Sequence, residues 1–419
     1  MITQKPNSKL HYKEGKHIIW LTTQFPQGQN NLNGIFIFRT VRELSKYYNI
    51  TVICLYPALP PVISILKNPN NMIYLIKARK NVFPSRMVPP DGLDNAKVLY
   101  IKYPRFLRGK LTFTEGWFAY LAIKRIVKKI ITPHTILHAN WLFPEGKLAF
   151  ILSKKFNLPY IVTLRGADVR NIEKGTKNWS EAKNILNYAS KVTSVSNALL
   201  DKGVSKKIIS GGKKTFITHN IYDFTKFYIN NKMEARRAIN LSSDVKMILY
   251  VGSLVKGKNV SSLIKAFSLM NSTNSETKLI IIGSGIEEKY LKKLVVDENL
   301  NNVVLPGRIF PDNLINYYNA ADVFCLPSYS EGLPNVIVES MLCGTPVVGS
   351  SVDEIPYIIK DGINGFLIDP YSITDIAEKL EKALIIQWDR SKIRESVSFL
   401  SPQKVLNEYK YIYENINNN

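Results

Sequence analysis

The chain has 419 residues, 45% hydrophobic and 21% charged, a globular composition with enough length for two domains. It contains no run of about 18 apolar residues, so no membrane-spanning helix is predicted. The net charge of +23 has two explanations, attraction to an anionic partner or a background rich in Lys, Asn and Ile. No recognition helix or RNA-binding signature is present, so nucleic acid is not a predicted partner.

The first 16 residues are polar and lack the apolar core of a signal peptide, so we predict a flexible leader over 1–16 and a cytoplasmic protein. Short apolar runs then alternate with helix-like segments. The runs do not alternate in polarity, which is typical of parallel strands buried on both faces. They are Ile18–Thr23, Ile50–Leu55, Ile73–Ile76, Ile136–His138, Tyr160–Leu164 and Val192–Val195.

A second series of apolar runs begins after a polar segment. It comprises Met247–Val251, Leu279–Ile282, Val303–Leu305, Val323–Leu326 and Pro346–Val348. We therefore predict an α/β protein with two Rossmann-like, doubly wound domains. The predicted boundaries are 17–222 for the N-terminal domain, 223–244 for a hinge, 245–398 for the C-terminal domain and 399–419 for a closing helix.

The strongest motif, Pro327–Glu339, follows the strand-like run Val323–Leu326. Gly332 allows close approach of the backbone, and Pro334 suits the first turn of a helix. The start of that helix presents free N–H groups to an anion. With Glu331 before the helix and Glu339 within it, the pattern indicates a phosphate-binding loop between two acceptors of hydroxyl groups. Spacing by itself leaves open an ordinary capped helix with two surface glutamates.

This segment resembles the paired-glutamate motif of the family 4 retaining glycosyltransferases. The resemblance covers about residues 17–385 and is strongest in the C-terminal half. Further matching residues are Gly307, Ala321-Asp322, Ser340-Met341, Gly344–Val347 and Asp361–Gly365. The family implies the GT-B fold, in which two Rossmann-like domains face each other across a cleft.

Roles in the C-terminal domain follow from the resemblance, which implies a retaining transfer that needs no bound metal or other cofactor. Glu339 would bind the ribose of the nucleotide and Glu331 the donor sugar. The backbone of Gly332, Leu333, Pro334 and Asn335 would bind sugar hydroxyls and the distal phosphate. Lys258 is the predicted diphosphate ligand. Ser253 stands where the family often has an arginine, and Lys256 is a candidate replacement for that charge.

In the N-terminal domain, Gly34 resembles the glycine that lets a loop approach the donor phosphate and the acceptor. His138 matches one member of a histidine pair and is a candidate catalytic residue, or else a satisfied core histidine. Arg165 stands where the family has a histidine that contacts the transferred sugar, so we expect it to bind a phosphate or carboxylate. Asp168 is expected to orient Arg165, and a purely structural pair of the two is the alternative.

Three residues depart from the family pattern in the segment Val352–Tyr357. Asp353 and Glu354 occupy the positions of two glycines, and Tyr357 that of a glutamate. Since this loop normally lies close to the nucleotide, the identity of the donor stays open between UDP- and GDP-sugars.

The predicted function is therefore transfer of a sugar from a nucleotide sugar to a lipid-linked or polysaccharide acceptor, in surface glycan synthesis of the teichuronic or capsular type. The basic segment Lys124–Lys129 suggests peripheral binding to an anionic membrane surface at the cytoplasmic face. Two alternatives remain. One is a sugar-nucleotide epimerase or hydrolase of the same fold, and the other is a non-catalytic protein that binds anionic surfaces.

Overall fold

The computed structural model describes residues 15–28, 33–57, 87–103, 114–209, 214–271, 277–332 and 334–416. The chain divides into two compact units. Unit 1 comprises Met1–Ile221 and Gln403–Asn419, and unit 2 comprises Tyr222–Pro402. Residues 1–14 of the predicted leader and the predicted strand Ile73–Ile76 lie outside the described residues.

The described part of unit 1 contains a parallel sheet of seven strands. The strands are β1 (His17–Thr22), β2 (Asn49–Pro57), β3 (Ala96–Tyr103), β4 (Thr135–Asn140), β5 (Tyr160–Leu164), β6 (Lys191–Ser194) and β7 (Thr215–Ile217). Their order is β3-β2-β1-β4-β5-β6-β7. Every residue of β1, β4, β5 and β6 is buried, which explains the apolar runs Ile18–Leu21 in β1 and Tyr160–Val162 in β5. The edge strands β3 and β7 are partly exposed and were not predicted.

Helices connect these strands. They are α1 (Ile35–Ser45), α2 (Glu115–Ile130), α3 (Lys147–Phe156), α4 (Ala167–Arg170), α5 (Lys177–Tyr188) and α6 (Asn197–Ser205), and an irregular turn at Leu142–Gly146 precedes α3. Side-chain caps start two of them. Thr176 accepts a hydrogen bond from the backbone N–H of Trp179, and Ser196 accepts one from Leu199.

In unit 2, the described residues form a second parallel sheet, of six strands. The strands are β8 (Lys246–Val251), β9 (Thr277–Ile282), β10 (Val303–Gly307), β11 (Val323–Leu326), β12 (Val347–Ser350) and β13 (Gly365–Ile368). Their order is β10-β9-β8-β11-β12-β13. Strands β8 to β12 confirm the five predicted runs, and the short strand β13 is additional.

The helices of unit 2 are α7 (Lys232–Ala238), α8 (Val260–Asn271), α9 (Glu288–Asp297), α10 (Pro311–Ala320), α11 (Asn335–Leu342), α12 (Ile355–Ile358), α13 (Ile373–Ile385) and α14 (Arg390–Ser396). Both units therefore have the predicted α/β, doubly wound architecture. Among the helices of the described residues, none is long and apolar enough to cross a membrane.

Helix α7 lies in the segment 223–244 that the sequence predicts as a hinge. It is part of unit 2 because Arg236, which is buried, pairs with Asp322 at 2.7 Å and donates to the carbonyl of Ala320. Lys232 forms a second ion pair with Asp322, also at 2.7 Å. Two of the charged residues in this segment therefore form ion pairs within unit 2.

The last helix, α15 (Pro402–Glu414), belongs to unit 1. It buries the apolar face that the sequence shows, made of Val405, Leu406, Tyr409, Ile412 and Tyr413. The Tyr413 hydroxyl lies 2.7 Å from Nδ1 of His138, and Nε2 of His138 lies 2.7 Å from the Thr163 hydroxyl. The His138 ring also lies 4.3 Å from the Trp20 ring, so a buried histidine links the sheet to α15.

We predict that two buried histidines make the stability of unit 1 depend on pH. Burial lowers the pKa of His138 to about 3 and that of His17 to about 4, from an ordinary value of 6.5. Both side chains are neutral in the folded protein, whereas in the unfolded chain each gains a proton below its ordinary pKa of 6.5. Above that ordinary pKa the free energy of unfolding is unaffected by the two histidines. Below it, the free energy of unfolding decreases by about 1.4 kcal/mol per histidine and pH unit.

The measurement is urea unfolding of the wild type and His138→Gln at about pH 7.5 and about pH 5, with the slope taken from proton linkage. Glutamine retains hydrogen-bonding groups but does not titrate, so the variant should lose less stability on acidification. Equal losses in the two proteins would contradict a titrating His138.

Candidate functional site

The carboxyl ends of the parallel strands of unit 2 bring four loops to one edge of its sheet, where ligands bind in α/β proteins. The loops are residues 252–259, 283–287, 327–334 and 351–354. Backbone hydrogen bonds join them: Leu254 N–H donates to the Ser284 carbonyl at 2.9 Å, and Tyr329 N–H donates to the Gly257 carbonyl at 3.0 Å.

Two glycines allow the first two of these loops to meet. A Cβ on Gly283, whose φ is +152°, would lie 1.8 Å from the Gly252 carbonyl oxygen. A Cβ on Gly285 would lie 2.2 Å from the Leu254 carbonyl oxygen. The two glycines of the segment Gly283–Gly285 therefore allow the backbones of the two loops to lie in direct contact.

Glu331 lies at the centre of a charged network. Its Oε1 atom accepts hydrogen bonds from the Ser328 hydroxyl at 2.7 Å and from Nζ of Lys258 at 2.5 Å. The Glu331 side chain is 9% exposed and that of Lys258 26% exposed, so the ion pair is partly shielded from water. The structure thus joins the predicted sugar contact directly to the predicted diphosphate ligand.

Asp353 connects the loop after β12 to the same network. One oxygen of its carboxylate accepts from the backbone N–H of Glu331 at 2.8 Å and from the Ser330 hydroxyl at 2.7 Å. Its φ of +47° lies in the left-handed region, which favours glycine. The resemblance implies a glycine at this position, and the structure shows that the aspartate side chain holds the Glu331 loop.

Glu339 lies on α11, and its carboxylate accepts from the hydroxyl of Tyr318 at 3.1 Å. Burial, and then the charge of Glu339, raise the pKa of Tyr318 well above its ordinary value, so this hydroxyl stays protonated as a donor. Pro334 precedes α11, and the helix start has no side-chain cap. Its first N–H groups are therefore not satisfied by a capping side chain.

The remaining predicted residues of unit 2 have different environments. Ser253 and Lys256 are exposed, and Gly332 and Asn335 are half-buried. Leu333 lies outside the described residues. A Cβ added to Gly332 would meet no atom within 4 Å, so its surroundings here do not demand glycine.

Sequence reasoning missed the contacts made by Asn259 and Tyr371. Asn259 is buried, has a φ of +55° and donates to the Pro370 carbonyl at 2.7 Å. The Tyr371 ring stacks on that of Tyr329 with centroids 4.9 Å apart. A left-handed asparagine after a short helical turn is the sequence signal available for the first contact.

In unit 1, Arg165 follows β5 and is held by two amide side chains. Its Nε and Nη2 atoms donate to Oδ1 of Asn140 at 2.8 and 2.6 Å, and Nη1 donates to Oδ1 of Asn220 at 2.9 Å. Its guanidinium carbon lies 5.0 Å from the ring centre of Phe36 and 5.7 Å from that of Trp141.

Asp168 orients Arg165 through the backbone. Its carboxylate accepts from the N–H groups of Leu142, Arg165 and Gly166, at distances between 2.8 and 3.4 Å. The expected orienting role of Asp168 therefore acts through the backbone turn that begins at Arg165, and not through a direct hydrogen bond to the guanidinium.

His138, predicted as a catalytic residue, is fully buried, and both of its ring nitrogens lie at hydrogen-bonding distance from core hydroxyls. This position does not fit contact with a sugar, so we assign it a structural role. Gly34 begins α1 with a φ of +75°. A Cβ there would lie 2.6 Å from backbone atoms of Gln24, so this turn requires glycine.

Within the described residues, no group of three or more His, Cys, Asp and Glu is placed to hold a metal ion. Cys54, Cys325 and Cys343 are buried and unpaired, as expected for small core residues.

Residues 231–397 match the family described as glycosyl transferases group 1. The chain is 27% identical over 371 residues to TuaC of Bacillus subtilis strain 168, whose name describes a teichuronic acid biosynthesis glycosyltransferase. That match covers 87% of this chain and 88% of TuaC.

Solved glycosyltransferase structures share the fold. Sucrose-phosphate synthase from Thermosynechococcus elongatus has a TM-score of 0.73 at 19% identity, covering 96% of this chain and 98% of the other. Anabaena HepE in complex with UDP has a TM-score of 0.68 at 16% identity, covering 95% and 99%. Residues 231–397 therefore belong to the group 1 glycosyltransferase family, and the chain has the GT-B fold of two Rossmann-like units.

Proposed function

We propose that this protein transfers a sugar from a UDP- or GDP-sugar to a lipid-linked or polysaccharide acceptor, with retention of configuration and without a bound metal. The network that joins Lys258, Glu331 and Asp353 at the strand ends of unit 2 carries the proposal. Two similarities of this chain support the proposal. It shares its fold with HepE, which is described in complex with UDP, and it is similar in sequence to TuaC, which is named for teichuronic acid synthesis.

The donor would bind to unit 2. Glu339 would accept the ribose hydroxyls, as the paired-glutamate motif implies. Glu331 uses one oxygen for Ser328 and Lys258, and its second oxygen would accept a hydroxyl of the donor sugar. The backbone N–H groups of Gly332, Leu333 and Asn335 would add donors at the start of α11, and Pro334, which has no N–H, would fix the turn between them.

Lys258 would offset the charge of the leaving diphosphate. An ammonium group has three N–H donors, and Glu331 takes one of them. As the bond between the sugar and the diphosphate breaks, negative charge grows on the leaving oxygen, and a fixed cation lowers the energy of that state. Lys256 and Ser253 are exposed in the same loop and would supply a second cation and a hydroxyl.

In unit 1, the proposed substrate contacts are Arg165 and the turn at Gly34. The exposed face of α2 would place the protein on an anionic membrane that holds the acceptor. This face combines Trp117 and Leu121, 47% and 44% exposed, with the exposed cations Arg125, Lys128 and Lys129. Exposed apolar side chains among cations are typical of a helix lying at a membrane surface.

Sugar transfer is tested by incubating the full chain with labelled UDP- and GDP-sugars and lipid-linked or polysaccharide acceptors, with and without EDTA. We expect a glycosylated acceptor with the anomeric configuration of the donor, and equal rates in EDTA. Epimerised or hydrolysed donor formed without acceptor would favour the alternative reactions.

Donor binding should depend on Glu339 and Lys258. We expect Glu339→Ala and Lys258→Ala to weaken binding of the nucleotide sugar about tenfold or more, because each loses a hydrogen bond that involves a charged group. Glu288→Ala and Lys292→Ala are matched controls, since these residues form an exposed pair at 2.8 Å in the same unit. Calorimetric titration measures the affinities, and wild-type affinity in both site variants would contradict the assignment.

Asp353 should act as a positioning residue for Glu331. Asp353→Ala removes the acceptor for two hydrogen bonds, so we expect kcat to fall about tenfold. Asp353→Asn retains an acceptor oxygen and should restore most of the rate. Steady-state kinetics of both variants checks this, and an alanine variant as active as the wild type would refute it.

Membrane binding should depend on the basic face of α2. We expect sedimentation with phosphatidylglycerol vesicles, weakening as salt is added, and little sedimentation with phosphatidylcholine. Lys128→Gln with Lys129→Gln should reduce binding, whereas Lys289→Gln with Lys293→Gln, exposed on α9, should not. Equal binding by the two double variants would exclude α2 as the contact.

A further inference from the structure

Two tyrosines form a stacked pair at the edge of unit 2 where its strands end. Tyr329 lies in the loop after β11 and Tyr371 in the loop after β13, with ring centroids 4.9 Å apart and ring planes 26° from parallel. Tyr371 is 76% exposed, more than any other tyrosine within the described residues. Its ring therefore has one face against Tyr329 and most of its surface in water.

The short turn after β8 fixes the backbone on both sides of this pair. The Gly257 carbonyl accepts a hydrogen bond from the N–H of Tyr329 at 3.0 Å. The buried side-chain amide of Asn259 donates to the carbonyl of Pro370 at 2.7 Å, directly before Tyr371. Since both loops are held in place, covering the outer ring with a ligand costs little conformational entropy.

The side chains that flank the exposed ring are polar. Lys256 is exposed on the turn after β8, and the exposed Asp369 accepts from the N–H of Tyr371 at 3.0 Å. The hydroxyl groups of Ser372 and Thr374 lie 3.1 Å apart in the same loop. A sugar ring combines a face of C–H groups with a rim of hydroxyls. An aromatic face bordered by ammonium, carboxylate and hydroxyl groups therefore suits a saccharide better than a lipid chain or an apolar protein surface.

The pair adjoins the network that carries the proposed function. Tyr329 precedes Glu331 by two residues, so their Cα atoms are no more than about 7 Å apart. Lys258, from the turn that holds Tyr329, donates to the Glu331 carboxylate. A ligand on the ring of Tyr371 would therefore lie beside the place where we propose that the donor sugar binds.

We infer that the Tyr329–Tyr371 pair is a carbohydrate subsite that stacks on a sugar ring of the acceptor glycan, beyond the residue that receives the transferred sugar. The inference rests on the proposed function and specifies its acceptor as a chain already several sugars long. The C–H groups on the face of a sugar carry partial positive charge, and the face of an aromatic ring is negative. A monosaccharide acceptor cannot occupy this subsite and the transfer position together.

Three variants test the role of the ring. Tyr371→Ala removes the exposed ring, whereas Tyr371→Phe keeps the ring and loses only the hydroxyl. Tyr411→Ala is the matched control, because Tyr411 is 58% exposed on α15 and its ring centroid lies 5.9 Å from that of Phe216. The ring of Tyr371 lies mostly in water, so all three variants should unfold at nearly the wild-type temperature.

Transfer kinetics compares acceptors of one polysaccharide, graded in length from a monosaccharide to an octasaccharide. We expect Tyr371→Ala to raise the KM of the long acceptors about threefold to tenfold, the range for loss of one aromatic contact. The KM values of the donor and of the monosaccharide acceptor should stay at the wild-type level. Tyr371→Phe and Tyr411→Ala should behave as the wild type with every acceptor.

Three results would overturn the inference. One is an equal KM of the long acceptors for the wild type and Tyr371→Ala. Another is a raised KM of the donor alone, which would assign the ring to the nucleotide sugar. The third is loss of sedimentation with phosphatidylglycerol vesicles in Tyr371→Ala while every KM is unchanged, which would assign the ring to the membrane.

Direct binding distinguishes failure of this inference from failure of the proposed reaction. Maltohexaose, chitohexaose and a hyaluronan hexasaccharide are titrated into the wild type and Tyr371→Ala. Binding of any of them that is weaker in Tyr371→Ala supports the inference even if no transfer is found, in which case the proposed reaction fails. Transfer by both proteins with equal KM at every acceptor length counts against the inference while the proposed function stands. Absence of both transfer and hexasaccharide binding refutes the two together.

Discussion

The carboxylate and the backbone N–H of Glu331 join the loops that follow β8, β11 and β12. Lys258 reaches Glu331 from the first loop, Ser328 from within the second, and Asp353 holds the N–H of Glu331 from the third. Because these loops leave parallel strands at one sheet edge, each can be tied to the others by a single side chain. The site is preorganised, so little rearrangement is needed when charge develops on a ligand.

Much of this arrangement is readable from the sequence. Buried parallel strands produce continuous apolar runs, which located β8 to β12, and motif resemblance identified Lys258, Glu331 and Glu339. The pairing of Lys258 with Glu331 spans 73 positions and depends on β8 lying beside β11, which no local pattern reports. Edge strand β3 was missed because partial exposure lets lysines interrupt its apolar pattern.

The cationic side chains Lys258 of unit 2 and Arg165 of unit 1 have different hydrogen-bond partners. In unit 2 a lysine is paired with a carboxylate, so its field is partly cancelled until a ligand competes. In unit 1 the guanidinium of Arg165 donates to the amide oxygens of Asn140 and Asn220 and lies close to two aromatic rings. His138 illustrates the limit of resemblance: a histidine at a strand end has the same sequence signature in a site and in a core, and burial decides between them.

Unit 1 contains two separated stretches of chain, and its core includes Tyr409 and Tyr413 of the final helix. During translation the sheet of unit 1 emerges before unit 2, whereas the helix that packs on Trp20 and His138 emerges after unit 2. Unit 2 is continuous and can complete its core earlier. The core of unit 1 is therefore completed only after the whole of unit 2 has been synthesised, and one face of its sheet stays uncovered until then.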